Sequence, residues 1–135
     1  MTATRPLATA GAPSAIRVAR RAGWLVLGLA FAGFAVSEIA THDLGLAPLA
    51  FLVLPDLAFL IGLGERHEPR QLPARSVPLY NLLHQPLLPL GLVAVASVVG
   101  SGPALFAGAL FWFAHAALDR AAGYGQRTPD GWQRV

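Results

Sequence analysis

The stretch FWFAHAALDR, residues 111–120, sets two ionisable side chains into a long apolar run. His115 and Asp119 are four residues apart, a spacing that puts both on one face of a helix, about one turn apart. Ionisable side chains at membrane depth are expensive, and they face one another or a functional cavity rather than lipid. Asp56 and His84 also lie within apolar runs and are available as partners. The sequence therefore predicts a helical protein with a polar centre.

The composition indicates a membrane protein. The chain has 135 residues, of which 55% are hydrophobic and 13% are charged, whereas soluble domains carry about 25% charged residues. It contains no cysteine, which excludes disulfides and thiolate metal sites. All ten basic residues are arginines, and they lie between apolar runs rather than in a binding stripe. No nucleic-acid partner is therefore expected.

Four apolar runs predict four membrane-spanning helices, because each approaches the roughly 20 residues that cross a bilayer. The predicted spans are residues 22–40, 44–63, 77–100 and 103–123. A disordered basic tail over residues 1–21 precedes them, and a polar tail over residues 124–135 follows. A signal peptide is the competing interpretation of the first run, because basic residues precede its apolar core.

The placement of arginine predicts the orientation of these spans. All ten arginines lie in the N-terminal tail, in the loop 64–75 or at the C-terminal end, and the two opposite turns hold none. Cytoplasmic loops carry an excess of positive residues. The predicted fold class is therefore all-α, an integral membrane four-helix bundle with both termini cytoplasmic.

Four polar side chains lie at similar predicted distances from the cytoplasmic ends of their spans and are therefore expected to meet. A helix rises about 1.5 Å per residue, so these groups lie roughly 6–12 Å from the cytoplasmic ends of their spans. They are Asp56, His84, His115 and Asp119. Two imidazoles and two carboxylates are a ligand set for a divalent metal, with zinc as the first choice. A metal with an open coordination position would activate water.

Three neighbours are expected to support these ligands by hydrogen bonding. Tyr80 and Asn81 share a helical face with His84, and such partners orient metal-binding histidines. Arg120 follows Asp119 directly and can pair with it. The alternative to a metal site is a structural polar network, in which Asp119 pairs with Arg120 or holds the His115 ring, and Asp56 bonds His84. A proton or ion path is the third interpretation.

Other polar and aromatic residues suggest weaker assignments. Glu38 and His42 are also four apart, but their place near the opposite end of the first span favours a solvated turn over a second metal site. His67 is expected to be a solvated loop residue, and Trp112 a packing or lipid-facing one.

Together these motifs resemble a known family of small bacterial four-helix membrane proteins, domain-of-unknown-function family 4260. The resemblance rests on Pro55-Asp56, on Tyr80 to His84 with Pro89, and on the pattern from His115 to Gly125, and it covers roughly residues 52–127. It implies the four-helix membrane fold, a bacterial inner (cytoplasmic) membrane location, and the choice of polar residues above. Residues 128–135 depart from the family's usual tail. No activity follows from the resemblance.

Three functions compete at this point. The first is a metal-dependent, hydrolase-like membrane enzyme acting on an amphipathic substrate, in which His84, His115 and Asp56 bind metal, Asp119 binds or orients, and water is the nucleophile. The second is a non-enzymatic accessory or structural subunit whose polar centre locks the bundle. The third is a proton or cation transporter. The expected partners are the lipid bilayer, an amphipathic small molecule, and further copies of the chain or a larger membrane complex.

Overall fold

The computed structural model describes residues 14–134, and within them the chain is all-α, with four helical segments and no strand. The first segment is α1 (Ala15–His42). The second joins a 3₁₀ turn (Ala47–Leu49), α2 (Ala50–Val53) and a 3₁₀ helix (Leu54–Gly62). The third joins a 3₁₀ turn (Ala74–Ser76), α3 (Val77–Leu83) and α4 (Leu87–Val99), and the fourth is α5 (Pro103–Ala122).

The start of α1 differs from the predicted basic tail. Residues 15–21 form the first two turns of α1 rather than an extension of the tail, because Ser14 caps the helix and accepts a hydrogen bond from the Arg17 backbone N–H at 3.3 Å. Residues 1–13 of the predicted tail lie outside the described residues.

Helix α5 is the centre of the fold. Almost every residue from Ala107 to Ala117 is buried, on all sides of the helix. Helix α1 packs along its length, while α2 and α4 pack on its other faces. Gly28 allows the closest approach of α1, since a Cβ there would meet the side chain of Leu118. The buried positions of α1, Gly28 and Ala35, are both small, and they lie on the face that contacts α5.

The outer surface is apolar where a soluble protein would be polar. On α1, large side chains such as Leu25, Val26, Leu29 and Val36 are exposed, while the buried positions are small. Two helical segments, Ala15–His42 and Ala74–Val99, are long and apolar enough to cross a membrane. The second segment is shorter, and α5 is mostly buried and contains Asp119 and Arg120. That these two segments also cross a membrane stays a prediction.

Prolines make two of the four segments irregular. The second segment changes from α to 3₁₀ geometry at Leu54, with Pro55 in the first turn. The third segment was predicted as one helix, but it is interrupted at His84-Gln85-Pro86. Proline has no N–H to donate and disfavours helical geometry in the residue before it. His84 therefore ends α3, with φ −92° and ψ 6°.

The C-terminal residues, predicted as a polar tail, fold back on the protein. Arg127 and Gln133 form an isolated antiparallel bridge, and the Leu72 N–H donates to the Gly131 carbonyl at 2.9 Å. Gly131 has φ +92°, and a Cβ at this position would collide with the Leu72 carbonyl. The segment therefore covers the loop 64–75 instead of extending from the bundle.

Single cysteine variants test the predicted orientation, since the chain has no native cysteine. Cysteines at Thr41 and Arg66, both exposed, should react with a membrane-impermeant maleimide from opposite sides of sealed vesicles, because the arginine-bearing loop is expected in the cytoplasm. Ala109→Cys is the control, since Ala109 is fully buried in α5 and should label only after denaturation. Labelling of both exposed sites from the same side would contradict the four-span orientation.

Candidate metal centre

Two imidazole nitrogens and two carboxylate oxygens meet beside α5. The Nε2 atoms of His84 and His115 lie 3.3 Å apart. Asp56 Oδ1 is 3.5 Å from the first nitrogen and 3.6 Å from the second. Asp119 Oδ2 is 3.4 Å and 3.7 Å from the same two atoms. The structure thus brings together all four side chains that the sequence proposed as metal ligands.

These separations suit the ligands of a single metal ion. Ligand atoms about 2.0–2.1 Å from a tetrahedral zinc ion are themselves about 3.3–3.4 Å apart. The observed nitrogen–nitrogen distance of 3.3 Å agrees with this value. Asp56, His84 and His115 form the compact group, with one ligand atom each and all three atoms within 4.8 Å of one another. Asp119 contacts both histidines from outside that group.

The protonation pattern of His84 is set by its backbone neighbour. Its Nδ1 lies 3.0 Å from the Tyr80 carbonyl oxygen, and because a carbonyl can only accept, Nδ1 must donate. The neutral ring then carries an unprotonated Nε2, which is the atom that faces the cluster. The Tyr80 ring stacks on the imidazole at 3.8 Å. Partners of this kind fix the tautomer and the ring plane of metal-binding histidines.

The helix break that positions His84 is held by side chains of α5. Trp112 donates its indole Nε1–H to the Leu83 carbonyl at 2.7 Å, and Arg120 donates from Nη1 to the His84 carbonyl at 2.8 Å. Both carbonyls lie where the interrupted helix lacks its regular backbone donors. Sequence reasoning assigned Trp112 to packing or to lipid contact, and no spacing rule would have connected it to a helix break 29 residues away.

Asp56 and Asp119 occupy the accessible side of the cluster. The His84 side chain is 3% exposed, but the Asp56 side chain is 46% exposed and that of Asp119 29%. Asp56 lies in the first turn of the 3₁₀ helix, next to the buried Pro55. The centre is therefore closed on the His84 side and open on the side of its carboxylates.

The predicted hydrogen-bonding neighbours take different places. Tyr80 supports His84 through its carbonyl and ring, as above. Asn81 instead holds the C-terminal segment, donating from Nδ2 to the Arg127 carbonyl at 2.9 Å and accepting from the Arg127 N–H at 2.7 Å. Arg120 contacts the His84 carbonyl and the Ala116 carbonyl. The helix break and the C-terminal segment are thus tied to the same short stretch of α3.

The remaining acidic and histidine residues stay apart from this centre. His42 Nε2 and Glu38 Oε2 lie 3.5 Å apart near the end of α1, with the His42 side chain 45% exposed. His67 is exposed, and its ring forms a hydrogen bond with the neighbouring Glu68 carbonyl. Among residues 14–134, the group of Asp56, His84 and His115 is the one with metal-binding geometry.

These features define an all-α protein with two helices able to cross a membrane and a His/His/Asp cluster at its central helix. The chain belongs to the family described as Domain of unknown function (DUF4260), whose family model matches residues 18–135. The match extends beyond the predicted residues 52–127 to include α1 and the C-terminal segment. No curated protein and no solved structure matches the chain.

Removing one hydrogen bond tests how the helix break is held. Trp112→Phe keeps an aromatic ring but leaves the Leu83 carbonyl without its indole donor. We expect the free energy of unfolding in detergent to fall by about 0.6–2 kcal/mol, the range for one hydrogen bond between membrane helices. Trp132→Phe is the matched control, because Trp132 is partly exposed and its hydrogen bonds run through backbone atoms. Equal melting temperatures for the two variants would contradict this role.

Proposed function

We propose that this chain is a multi-pass protein of the bacterial inner membrane, with all four helical segments crossing and both termini and the loop 64–75 in the cytoplasm. The one-sided placement of arginine supports this orientation. The exposed apolar side chains on α1 and α4, among them Leu29 and Val98, suit contact with lipid. In this arrangement the His/Asp cluster lies inside the cytoplasmic half of the bundle.

The cluster, in this proposal, binds one divalent metal ion, zinc by first choice, through His84, His115 and Asp56. The observation that supports the proposal is that neutral histidines have too few N–H protons to bond all the nitrogens and oxygens of the cluster. The His84 Nδ1–H is used on the Tyr80 carbonyl, so a neutral His84 directs a lone pair towards oxygens at 3.4 and 3.5 Å that also carry lone pairs. A neutral His115 supplies at most one N–H here. A divalent cation at the centre turns each of these contacts into an attraction.

The arrangement best supports a metal-dependent hydrolase acting on an amphipathic substrate. A bound divalent ion supplies a Lewis acid that lowers the pKa of water towards neutrality. His84, His115 and Asp56 would hold it, as three protein ligands do in catalytic zinc sites. Asp119, outside the compact group but 3.4 Å from His84 Nε2, is placed to accept a proton from the attacking water at Oδ2. The exposed side of Asp56 is the route by which substrate reaches the centre.

The alternative function is an accessory or structural membrane subunit without chemistry of its own. One observation favours it: the four side chains of the cluster come from three different elements and hold them together. These elements are the 3₁₀ helix, the α3–α4 break and α5. In place of the metal, a proton would then be shared between the Nε2 atoms of His84 and His115, which lie 3.3 Å apart. When that proton is on His84, the ring carries two protons, because its Nδ1–H already donates to the Tyr80 carbonyl. The same protonated state is what a proton or cation transporter would use, and flux into liposomes would reveal it.

Metal content of the purified protein separates these functions. We expect about one equivalent of zinc, manganese or iron per chain after purification without chelator. His84→Ala and His115→Ala should each abolish binding, because a three-ligand site does not survive the loss of an imidazole. His42→Ala and His67→Ala are matched controls, since these are the other two histidines and neither touches the cluster. Occupancy should also fall at acidic pH, because protons compete with the metal for the histidine ligands.

Metal-free wild-type protein that is folded and takes up none of the three metals would refute the metal site and leave the accessory subunit ahead. In that case the histidine variants should lower thermal stability instead.

Asp119→Asn tests the hydrolase within the metal hypothesis. The amide keeps the size of the side chain but cannot accept a proton as a carboxylate does. We expect the variant to retain its metal and to lose hydrolysis of an amphipathic ester by about 10²–10⁴-fold, the usual contribution of a general base. Full activity in the metal-loaded variant would contradict the role of Asp119, and loss of the metal would make it a ligand instead.

A further inference from the structure

A second polar feature lies at the α1–α5 junction, away from the histidines. A cavity of about 500 Å³ opens between the start of α1, the end of α5 and the C-terminal segment. Its lining includes half of the ten arginines of the chain. They are Arg17, Arg20, Arg21, Arg120 and Arg134. None of the four residues of the metal centre lines this cavity.

The positive charge in this cavity exceeds the negative charge beside it in the described part of the chain. No aspartate or glutamate belongs to the lining. Every ion pair found among residues 14–134 involves a histidine, so none of these arginines forms a salt bridge with a carboxylate of that range, although the Asp119 carboxylate is near enough to act electrostatically on Arg120. Like charges gathered in one cavity repel one another, and an anion that enters it would relieve the repulsion. The guanidinium group also matches the geometry of phosphate, to which it donates two parallel hydrogen bonds.

The surroundings of the cavity match those of a lipid headgroup. Trp24 and Tyr124 belong to its lining, and these two residue types concentrate at the membrane–water interface. A second cavity, of about 560 Å³, lies against the same two helices and has an almost entirely apolar lining that includes Leu25 and Leu118. Arg21 belongs to both linings. An amphiphile with an anionic head and an apolar tail would fill the two cavities together.

We propose that the arginine-lined cavity binds the phosphate group of an anionic membrane lipid, with the lipid tail in the adjacent apolar cavity. The chemistry it recognises is a phosphate monoester, whose charge of nearly two units meets several guanidinium groups at once. Free phosphate would satisfy the arginines but would leave the apolar cavity without an occupant. The site goes beyond the proposed metal chemistry and does not depend on it.

One contact connects the two sites. Arg120 lines the cavity and also donates from Nη1 to the His84 carbonyl at 2.8 Å. Its guanidinium lies over the Trp24 ring, 5.4 Å from the ring centroid. A phosphate group in the cavity would bond the remaining N–H groups of the same guanidinium. Lipid binding would thus hold in place the side chain that bonds the backbone of a metal ligand.

Binding of short-chain phosphatidic acid to the full chain in neutral detergent tests this proposal. We expect saturable binding of about one lipid per chain. The double variant Arg17→Gln/Arg20→Gln should weaken it at least about tenfold, because hydrogen bonds to charged groups are lost. The double variant Arg66→Gln/Arg75→Gln is the matched control. It removes the same charge from positions that are as exposed as Arg17 and Arg20 but lie outside the cavity. It should leave affinity within about twofold, because salt screens charges that do not contact the bound phosphate.

Competition identifies the source of the phosphate. Unlabelled phosphatidic acid should displace the bound lipid, while inorganic phosphate and a short-chain diacylglycerol should each compete at least about tenfold more weakly, because each fills only one cavity. Inorganic phosphate that competes as well as the lipid would overturn the lipid assignment. Equal binding of the diacylglycerol, or equal losses in both double variants, would overturn the arginine site.

Metal content and folding, measured on the same samples, keep this proposal separate from the proposed function. The Arg17→Gln/Arg20→Gln protein should keep its metal content and its melting temperature in detergent. Wild-type protein stripped of metal should still bind phosphatidic acid. Loss of lipid binding on metal removal would overturn the independence of the two sites.

Discussion

The hydrogen bond from His84 Nδ1 to the Tyr80 carbonyl, 3.0 Å long, is the contact on which the polar centre depends. It commits the one proton of a neutral imidazole to the backbone, so Nε2 presents its lone pair to the cluster. The bond spans the last turn of the third helical segment's first helix, which ends at His84, ahead of Pro86. Trp112 and Arg120 then satisfy the carbonyls at the break from α5. The residue at which this helix is interrupted is therefore also the residue that presents Nε2 to the cluster.

Local spacing predicted the parts of the structure that depend on one helix at a time. His115 and Asp119 lie on one face of α5 because four residues make about one turn. Asp56 and His84 were predicted beside them from their similar distances to the ends of their apolar runs, and the structure has both in contact with this pair. Packing of α1 on α5 also follows from local spacing, since the structure has Gly28 and Ala35 on the face of α1 that another backbone approaches closely.

Features that depend on contacts between distant segments were beyond sequence reasoning. The proline at position 86 was visible, but proline within a helix produces either a kink or an interruption, and the outcome depends on whether other groups satisfy the freed carbonyls. Here the donors are 29 and 36 residues away. The ordered C-terminal segment was missed for the same reason. Its polar side chains look like those of a tail, yet Arg127 is anchored by Asn81, 46 residues earlier.

X-ray absorption spectroscopy at the zinc edge of purified, zinc-loaded protein shows whether His84 and His115 bind the metal, because it reports the atoms around the ion. We expect two imidazole nitrogens at about 2.0–2.1 Å together with carboxylate or water oxygens at about 2.0–2.2 Å. The imidazole scattering should vanish in His84→Ala/His115→Ala and persist in His42→Ala/His67→Ala. A shell made only of oxygen, or a spectrum that does not change when His84 and His115 are both removed, would contradict the claim that these two histidines form a metal site.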